Sequence, residues 1–485
     1  MLDPGPLTTA LLIFLVIMIF NLIIFVHELG HFWAAKWRGL KIDRFQIWFG
    51  KPIWSKTING VQYGLGWIPA GGFVALPQMA PMEAIEGGNR DDGEPLPNIT
   101  PLDKIIVAFA GPFFSFLLAF VSAVIIWIIA KPVDVIPTTT IGWVEAGSKA
   151  AEAGLQRGDR ILSINDQPVE TWNLPLDSVF MHIATSKGDR IHFTVDRPGE
   201  GRKEIVSDFY IPPSESVLDR KKTRQVGIMP MAPDTPIAIT GLVDDPNAPA
   251  RLAGLEEGDV VKQVDGEAIV DFSQLLELIK NSEGKTLTFT VKRDGAPVEL
   301  AVSPVRPIVK NAEPDAEPQD YMIGALFSAP DPYIREWVRP NPVEQTVDTL
   351  RTMWITLTSV ASPKSSIGIQ HLSGPVGIGK IQYFSLLLDH PFHRILGFMV
   401  LININLALLN LLPFPVLDGG HITIATMEAI ARRPVNVKFL EVLQLGFVFL
   451  LFSIMLYVTS KDIFDDFGMG GDERPETVFP EPEGG

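Results

Sequence analysis

Leu7-Thr-Thr-Ala-Leu-Leu-Ile-Phe-Leu-Val-Ile-Met-Ile-Phe-Asn-Leu-Ile-Ile-Phe-Val26 contains no charged side chain, and His27-Glu28-Leu29-Gly30-His31 follows it directly. A helix rises ~1.5 Å per residue and about 20 apolar residues cross a bilayer core, so this stretch reads as a membrane helix ending in ionisable groups. No Lys or Arg precedes it and no small-residue cleavage site follows, so it is expected to stay as an anchor. Ile105 to Ala130, Ile395 to Leu417 and Val442 to Ser460 are equally free of charge, which makes four spans. The composition agrees: 47% of the 485 residues are hydrophobic and the mean hydropathy is +0.22, above a soluble chain of this size. The length leaves room for about three domains, hence for a folded soluble part as well.

Positive residues give the orientation. None precedes the first span, whereas Lys36, Arg38, Lys41, Arg44, Lys51 and Lys56 follow it, and Arg432, Arg433 and Lys438 lie between the third and fourth spans. Both loops read as cytoplasmic, leaving the segment from about 131 to 394 and the C-terminal tail outside. A net charge of −16 argues against nucleic acid as a partner. With no cysteine, disulfides, thiolate metal sites and thiol nucleophiles are excluded, so any metal must be held by His, Asp or Glu.

The outer segment repeats itself. Ala150-Ala-Glu-Ala-Gly-Leu-Gln-Arg-Gly-Asp159 matches Ala250-Arg-Leu-Ala-Gly-Leu-Glu-Glu-Gly-Asp259 at six of ten positions, an offset of 100. Upstream, Ile141-Gly-Trp-Val144 meets Thr240-Gly-Leu-Val243 at an offset of 99, which implies a tandem duplication with one residue gained. Each copy reads as strand, short helix, glycine turn and strand, and the phrase A-G-L-x-x-G-D resembles PDZ domains. That resemblance implies a groove in which an extended peptide adds as a further strand, or, alternatively, spacers with closed grooves. Gly87 to Pro97 and Pro304 to Asp320 read as linkers, and Asp462 to Gly485, with eight acidic residues and one Arg, as a solvated tail without a partner.

The chemistry sits at His27-Glu28-Leu29-Gly30-His31. A spacing of four on a helix turns both imidazoles to one face, able to share one Zn²⁺ with Glu28 beside it as base. Ionisable groups near a bilayer are costly, which favours function over a polar helix end. A catalytic zinc needs a third protein ligand. Asn410-Leu-Leu-Pro413-Phe-Pro415-Val-Leu417-Asp418-Gly-Gly-His421 ends the third span on the same side and offers Asp418 or His421. Pro413 and Pro415 break the helix there, and irregular backbone at membrane depth is tolerated where it lines a wet cavity. His390 and His393 fall at the opposite end of that span; His182, His192 and His371 read as ordinary core or surface residues.

This combination, with Arg44-Phe-Gln-Ile-Trp-Phe-Gly50, Ile68-Pro-Ala-Gly-Gly72 and Leu372-Ser-Gly-Pro-Val-Gly377, resembles the site-2 protease family of intramembrane zinc metalloproteases over nearly the whole length. The resemblance implies a polytopic α-helical membrane protein with four transmembrane helices, a membrane-associated β-hairpin and two tandem PDZ-like α+β domains. Its parts would be a first helix with the zinc motif (1–34), a cytoplasmic loop with the hairpin (35–102), a second helix (103–131), PDZ-like domains (132–232 and 233–308), and a linker with an amphipathic segment (309–393). A third helix with the Asp ligand (394–424), a fourth helix (438–461) and an acidic tail (462–485) complete it. The resemblance implies Zn²⁺ on His27, His31 and Asp418, Glu28 as catalytic residue, and Asn405 and Asn410 holding the substrate backbone, with interhelical bonding as the alternative role of Asn405. The hairpin, with Asn59-Gly60 as turn and Tyr63, Gly64 and Gly66 toward substrate, would hold an unwound substrate as a strand, or else would only cover the site. Ser115 departs from the family, which often has Asn there.

The implied reaction is peptide hydrolysis within transmembrane segments of single-pass proteins in the bilayer. Anti-sigma factors in envelope stress signalling and remnant signal peptides are the implied substrates, with the PDZ pair excluding intact ectodomains or binding exposed peptide ends. The implied place is the bacterial inner membrane, with PDZ domains periplasmic and the active site toward the cytoplasm. The rival readings are a PDZ-based membrane scaffold with an inactive zinc site and a metal transporter, neither of which needs Glu28 beside the first His.

Overall fold

The computed structural model describes residues 5–79, 99–173, 176–212, 222–231, 236–269, 272–309, 320–328, 333–433, 435, 437–464 and 477–480. The expected linker at Gly87 to Pro97 lies outside them. Helix α1 (Gly5–Arg38) leads into strands β1 (Arg44–Ile58) and β2 (Val61–Ala75), and helix α2 (Pro101–Ile129) follows. Thr100 and Asp103 cap α2 reciprocally, and Arg38 pairs with Asp103 at 2.6 Å, which fixes the ends of α1 and α2 together. A side chain at Gly30 would lie 2.4 Å from the Ala110 carbonyl oxygen, so the two helices touch backbone to backbone, as small residues permit in membranes.

The expected hairpin is a more folded object. Asn59 (φ 51°) and Gly60 (φ 82°) do make its tight turn. Residues 52–58 pair with 61–66, but 61–66 pair on their other side with 44–47, and 44–49 pair in turn with 68–75. The result is a four-segment mixed sheet, parallel between 44–47 and 62–65 and antiparallel elsewhere, in which 68–75 forms one edge. Trp48 (φ 66°) and Gly50 (φ 89°) turn the first long strand back on itself. Phe45, Val74 and Leu76 of this sheet are buried against Phe32 and Ala35 of α1 and Val107 of α2, while Ile53, Trp54 and Trp67 stand exposed at its far end.

Two β-rich units follow, preceded by β3 (Lys131–Val135). The first contains β4 (Ile141–Val144), α3 (Lys149–Ala153), β5 (Arg160–Ile164), β6 (Gln167–Pro168), α4 (Val179–Ala184), β7 (Ile191–Arg197), β8 (Gly201–Ser207) and β9 (Ile228–Pro230). The second contains β10 (Ile239–Leu242), α5 (Pro249–Leu252), β11 (Val260–Val264), β12 (Glu267–Ala268), α6 (Phe272–Lys280), β13 (Leu287–Arg293), β14 (Ala296–Val302), β15 (Ile308–Val309) and β16 (Ala325–Phe327). Their sheets run β6-β5-β7-β8 and β12-β11-β13-β14, and β4 pairs with β9 as β10 does with β16. Each unit has its own apolar centre, around Phe193 and around Phe289.

The G-D phrase of the repeat now has a physical reason. Asp159 and Asp259 are buried, at 0% and 1% exposure, and pair with Arg197 (2.7 Å) and Arg293 (2.6 Å), which also donate to the Gly154 and Gly254 carbonyls. Burying an aspartate requires such a partner. The upstream alignment shifts by one: the Ile141 amide bonds Asp159 O and the Ile239 amide bonds Asp259 O, so Ile141 corresponds to Ile239, and two residues are gained rather than one. A one-residue slip would have reversed which side chains face the core. The second unit also extends past 308, because β16 completes it and the Ser328 amide bonds Ala238 O.

The segment read as linker and amphipathic stretch is largely built structure: β17 (Ile334–Val338), α7 (Pro342–Val360) and α8 (Pro375–Leu387). β17 pairs with β3, and Asp134 on β3 accepts from Arg335 (2.8 Å) and Arg394 (2.9 Å), whose hydrogen bonds hold its carboxyl below the usual range. Helix α9 (Pro391–Asn410) ends before the prolines, and α10 (Asp418–Ala431) starts at Asp418. The third span is therefore shorter than expected, and Asp418 belongs to the next helix, because Pro413 and Pro415 have no amide to continue the ladder. Helix α11 (Val437–Phe464) follows, and β18 (Thr477–Val478) lies in the tail. α1, α2, α9 and Lys438–Ile463 are long and apolar enough to cross a membrane. The tail corrects the expectation of a partnerless, solvated segment: β18 pairs with β15, and Phe479 is 2% exposed.

Candidate metal centre and active site

α1 carries His27 and His31 one turn apart, and α10 brings Asp418 to them from nearly four hundred positions later. Nε2 of His27 lies 3.3 Å from Nε2 of His31 and 3.3 Å from Asp418 Oδ2, and His31 Nε2 lies 3.4 Å from Asp418 Oδ1. These are the distances expected between donors of one tetrahedral ion with bonds of ~2.0–2.1 Å, which sit ~3.3 Å apart. Asp418 Oδ2 is buried with no hydrogen-bond donor, as a ligand atom awaiting a cation would be. Asp418 also stands in the first turn of α10, where the helix dipole favours a carboxylate.

The far nitrogens of both rings are held as well. His31 Nδ1 lies 2.8 Å from the Val107 carbonyl, to which only its N–H form can donate, so its Nε2 keeps a lone pair. His27 Nδ1 lies 2.9 Å from Ser115 Oγ, and Ser115 is fully buried. Thus Ser115, where the family often has Asn, still reaches the ring. Gly111 is dictated by the same site: a Cβ there would sit 2.2 Å from His31 Nε2 and 2.8 Å from His27 Nε2.

The donors open on a cavity of about 220 Å³ that Glu28, Val74, Leu76, Asn410 and His421 help to line. Glu28 points from α1 toward the end of β2, its Cγ 3.6 Å from where a Gly72 side chain would begin. Asn410 Nδ2 is 3.3 Å from His27 Nε2. His421 borders the cavity but is outside the three-donor cluster. Asn405 does not border it, and its Oδ1 is buried without a donor. Tyr63 and Gly64 line a separate apolar hollow of about 330 Å³ with Trp54 and Ile58, and Gly66 backs onto the Trp48 and Phe49 carbonyls. The strand nearest the donors is 68–75, part of the expected hairpin but not the part, Tyr63 to Gly66, expected to face substrate.

Residues 14–454 match peptidase family M50. The chain belongs to that family. It is a zinc metalloprotease of the site-2 type, built as a multi-pass membrane protein. Among similar proteins, one from Vibrio cholerae with a provisional description as a zinc metalloprotease is 30% identical, over 92% of this chain and 96% of that one. The regulator of sigma-E protease RseP of Escherichia coli is 27% identical over 92% and 96%. The regulator of sigma E protease of Haemophilus influenzae is 28% identical over 91% and 95%.

Other residues at this M50 site were missed in the sequence. Val107 acts through its backbone, which no side-chain pattern reveals. Asn21 was legible in principle, as an amide inside a charge-free span. Its Oδ1 accepts from Trp48 Nε1 at 2.6 Å, six residues before His27. That is about 9 Å along α1, so the sheet reaches alongside the helix well before the turn that carries His27 and His31.

Proposed function

We propose that this chain hydrolyses peptide bonds within the membrane segments of single-pass proteins, with His27, His31 and Asp418 holding the metal and Glu28 as general base. The observation that carries the reading is the meeting of two imidazole nitrogens with each other and with the two oxygens of one carboxylate at 3.3–3.4 Å, facing a cavity lined by Glu28 between apolar helices. Zn²⁺, when bound there, supplies a Lewis acid that lowers the pKa of water and polarises a carbonyl. Glu28 takes the proton of the attacking water and passes it to the leaving amine. Asn410, beside His27, is placed to donate its amide to the substrate backbone.

A helical substrate keeps its peptide groups bonded to one another, so it must be unwound before water can attack. The edge segment 68–75, beside Glu28, is suited to hold the unwound stretch as an added strand. We read the two β units as PDZ-like modules outside the membrane and the catalytic centre as facing the cytoplasm, supported by the basic residues that follow the first span. In a two-membrane bacterium, the inner membrane is the location that goes with this reading. The relatives named as regulators of sigma E support an anti-sigma factor as substrate, with remnant signal peptides a second class, and the PDZ-like pair would then exclude intact ectodomains. Cleavage of a model single-pass substrate by purified protein, with Glu28→Gln and a zinc chelator as controls, tests this. Processing should require both Glu28 and metal; cleavage that survives Glu28→Gln would overturn the assignment.

A further inference from the structure

The acidic tail returns to the second β unit. Val478 pairs with Ile308 and Thr477 with Val309, antiparallel, so the tail adds a strand to β15. The Phe479 amide donates to Asp245 Oδ2 at 2.8 Å in a buried bond, and Asn247 Nδ2 lies 3.5 Å from the Phe479 carbonyl. The Phe479 ring covers Gly324: a Cβ on that glycine would be 3.0 Å from the ring and 2.9 Å from the Ala248 side chain. Backbone pairing, a capped amide and a buried aromatic anchor are what a peptide-binding surface provides.

The first unit is built differently at the matching place. Gly227 corresponds to Gly324, since the Glu145 amide bonds Gly227 O as the Val243 amide bonds Gly324 O. A Cβ on Gly227 would meet Ser148 Cβ at 2.4 Å, as one on Gly324 meets Ala248, and Glu145 Oε2 at 3.1 Å, so a carboxylate stands beside the glycine where the Phe479 ring stands in the second unit. The loop from Val243 to Ala248 is also two residues longer than that from Glu145 to Ser148, and it carries the Asp245 and Asn247 that hold the tail. The 680 Å³ cavity that runs between α4 and the outer face of α6 is lined by Glu145 and Gly227 of the first unit but by none of Asp245, Asn247, Ala248 and Gly324.

We infer that the edge of β15, with Gly324, Ala248, Asp245 and Asn247, is a second peptide-binding site, specific for an extended apolar-aromatic-proline strand, and that the chain's own Val478-Phe479-Pro480 is its resident ligand. From Phe464 at the end of α11, the chain to Thr477 reaches at most about 45 Å when fully extended. Occupancy of the site therefore tethers the second unit to the last membrane helix, in addition to its connection through β17. The inference does not depend on the protease reading.

The test uses full-length protein in detergent, a form truncated after Arg474, and a synthetic peptide of residues 476–483. The truncated protein should bind the peptide, and the intact protein should bind it at least ~10-fold more weakly, because the linked tail competes at an effective concentration near millimolar. A peptide with Phe479→Asp should not bind. In intact protein carrying Phe479→Asp, amide exchange at Ile308 and Val309 should speed up at least ~10-fold over wild type. Failure of the peptide to bind truncated protein whose second unit still melts cooperatively would overturn the inference, as would equal binding of both peptides or unchanged exchange. Protease activity is not the readout, so loss of the catalytic reading would leave this result standing.

Discussion

Replacing Ser115 with Ala should weaken zinc binding without touching a ligand. Ser115 Oγ lies 2.9 Å from His27 Nδ1, is fully buried, and sits on α2 while the histidine sits on α1. Removing the hydroxyl leaves a buried ring nitrogen with no substitute, since one lost oxygen does not leave room for a water. Partners of metal-binding histidines are typically worth 10–100-fold in metal affinity. At 1.36 kcal/mol per decade that is about 1.4–2.7 kcal/mol, with the complete burial arguing for the upper half. The assay is competition for Zn²⁺ against a chelator series, with thermal melting of the metal-free protein as the folding control. Ser122→Ala is the matched control, because its hydroxyl bonds only the Leu118 carbonyl of its own helix. A Ser115→Ala affinity within twofold of wild type, in protein that melts normally, would show that the His27 ring is oriented by something else.

Gly111→Ala drives a methyl to 2.2 Å from His31 Nε2, so the rings must move by about an ångström; activity should fall at least ~100-fold and bound zinc should drop, with helical content by circular dichroism unchanged. Asn21→Leu removes the acceptor of the Trp48 indole, a bond worth ~0.6–1.7 kcal/mol in membranes; amide exchange in 44–49 and 68–75 should rise and cleavage fall while zinc affinity holds. Asp259 has its carboxyl held below the usual range, first by its hydrogen bonds from Arg293. The folded form therefore favours the ionised state, so this stabilisation is complete above the ordinary carboxylate pKa of ~3.9 and is lost as pH falls below it. Melting of the second unit, followed by exchange across pH 6 to 3, should show that loss, and Asp259→Asn should be less stable at pH 6 and flatter with pH.

The membrane spans, the pairing of His27 and His31 and the recurrence of the A-G-L-x-x-G-D phrase were legible because each is a local or periodic pattern. Twenty uncharged residues need no partner to declare a span, and His27 and His31 share a helix face by spacing alone. The buried aspartates of the repeat were visible as a motif, although their reason, Arg197 and Arg293, lies more than thirty positions downstream. What required the tertiary structure was every contact between distant segments. Asp418 and His421 were both available three residues apart, and only the break at Pro413 and Pro415, which lets α10 begin at Asp418, set the carboxylate against both imidazoles. The folding of the hairpin into four segments depends on positive φ at Trp48 and Gly50, which an alternating pattern does not encode. The tail looked solvated because its charge dominates its composition; four residues, Thr477 to Pro480, find a strand edge and a cleft over Gly324 that no reading of the tail alone could supply. Local chemistry thus determined which residues could act, and packing between segments decided which of them meet.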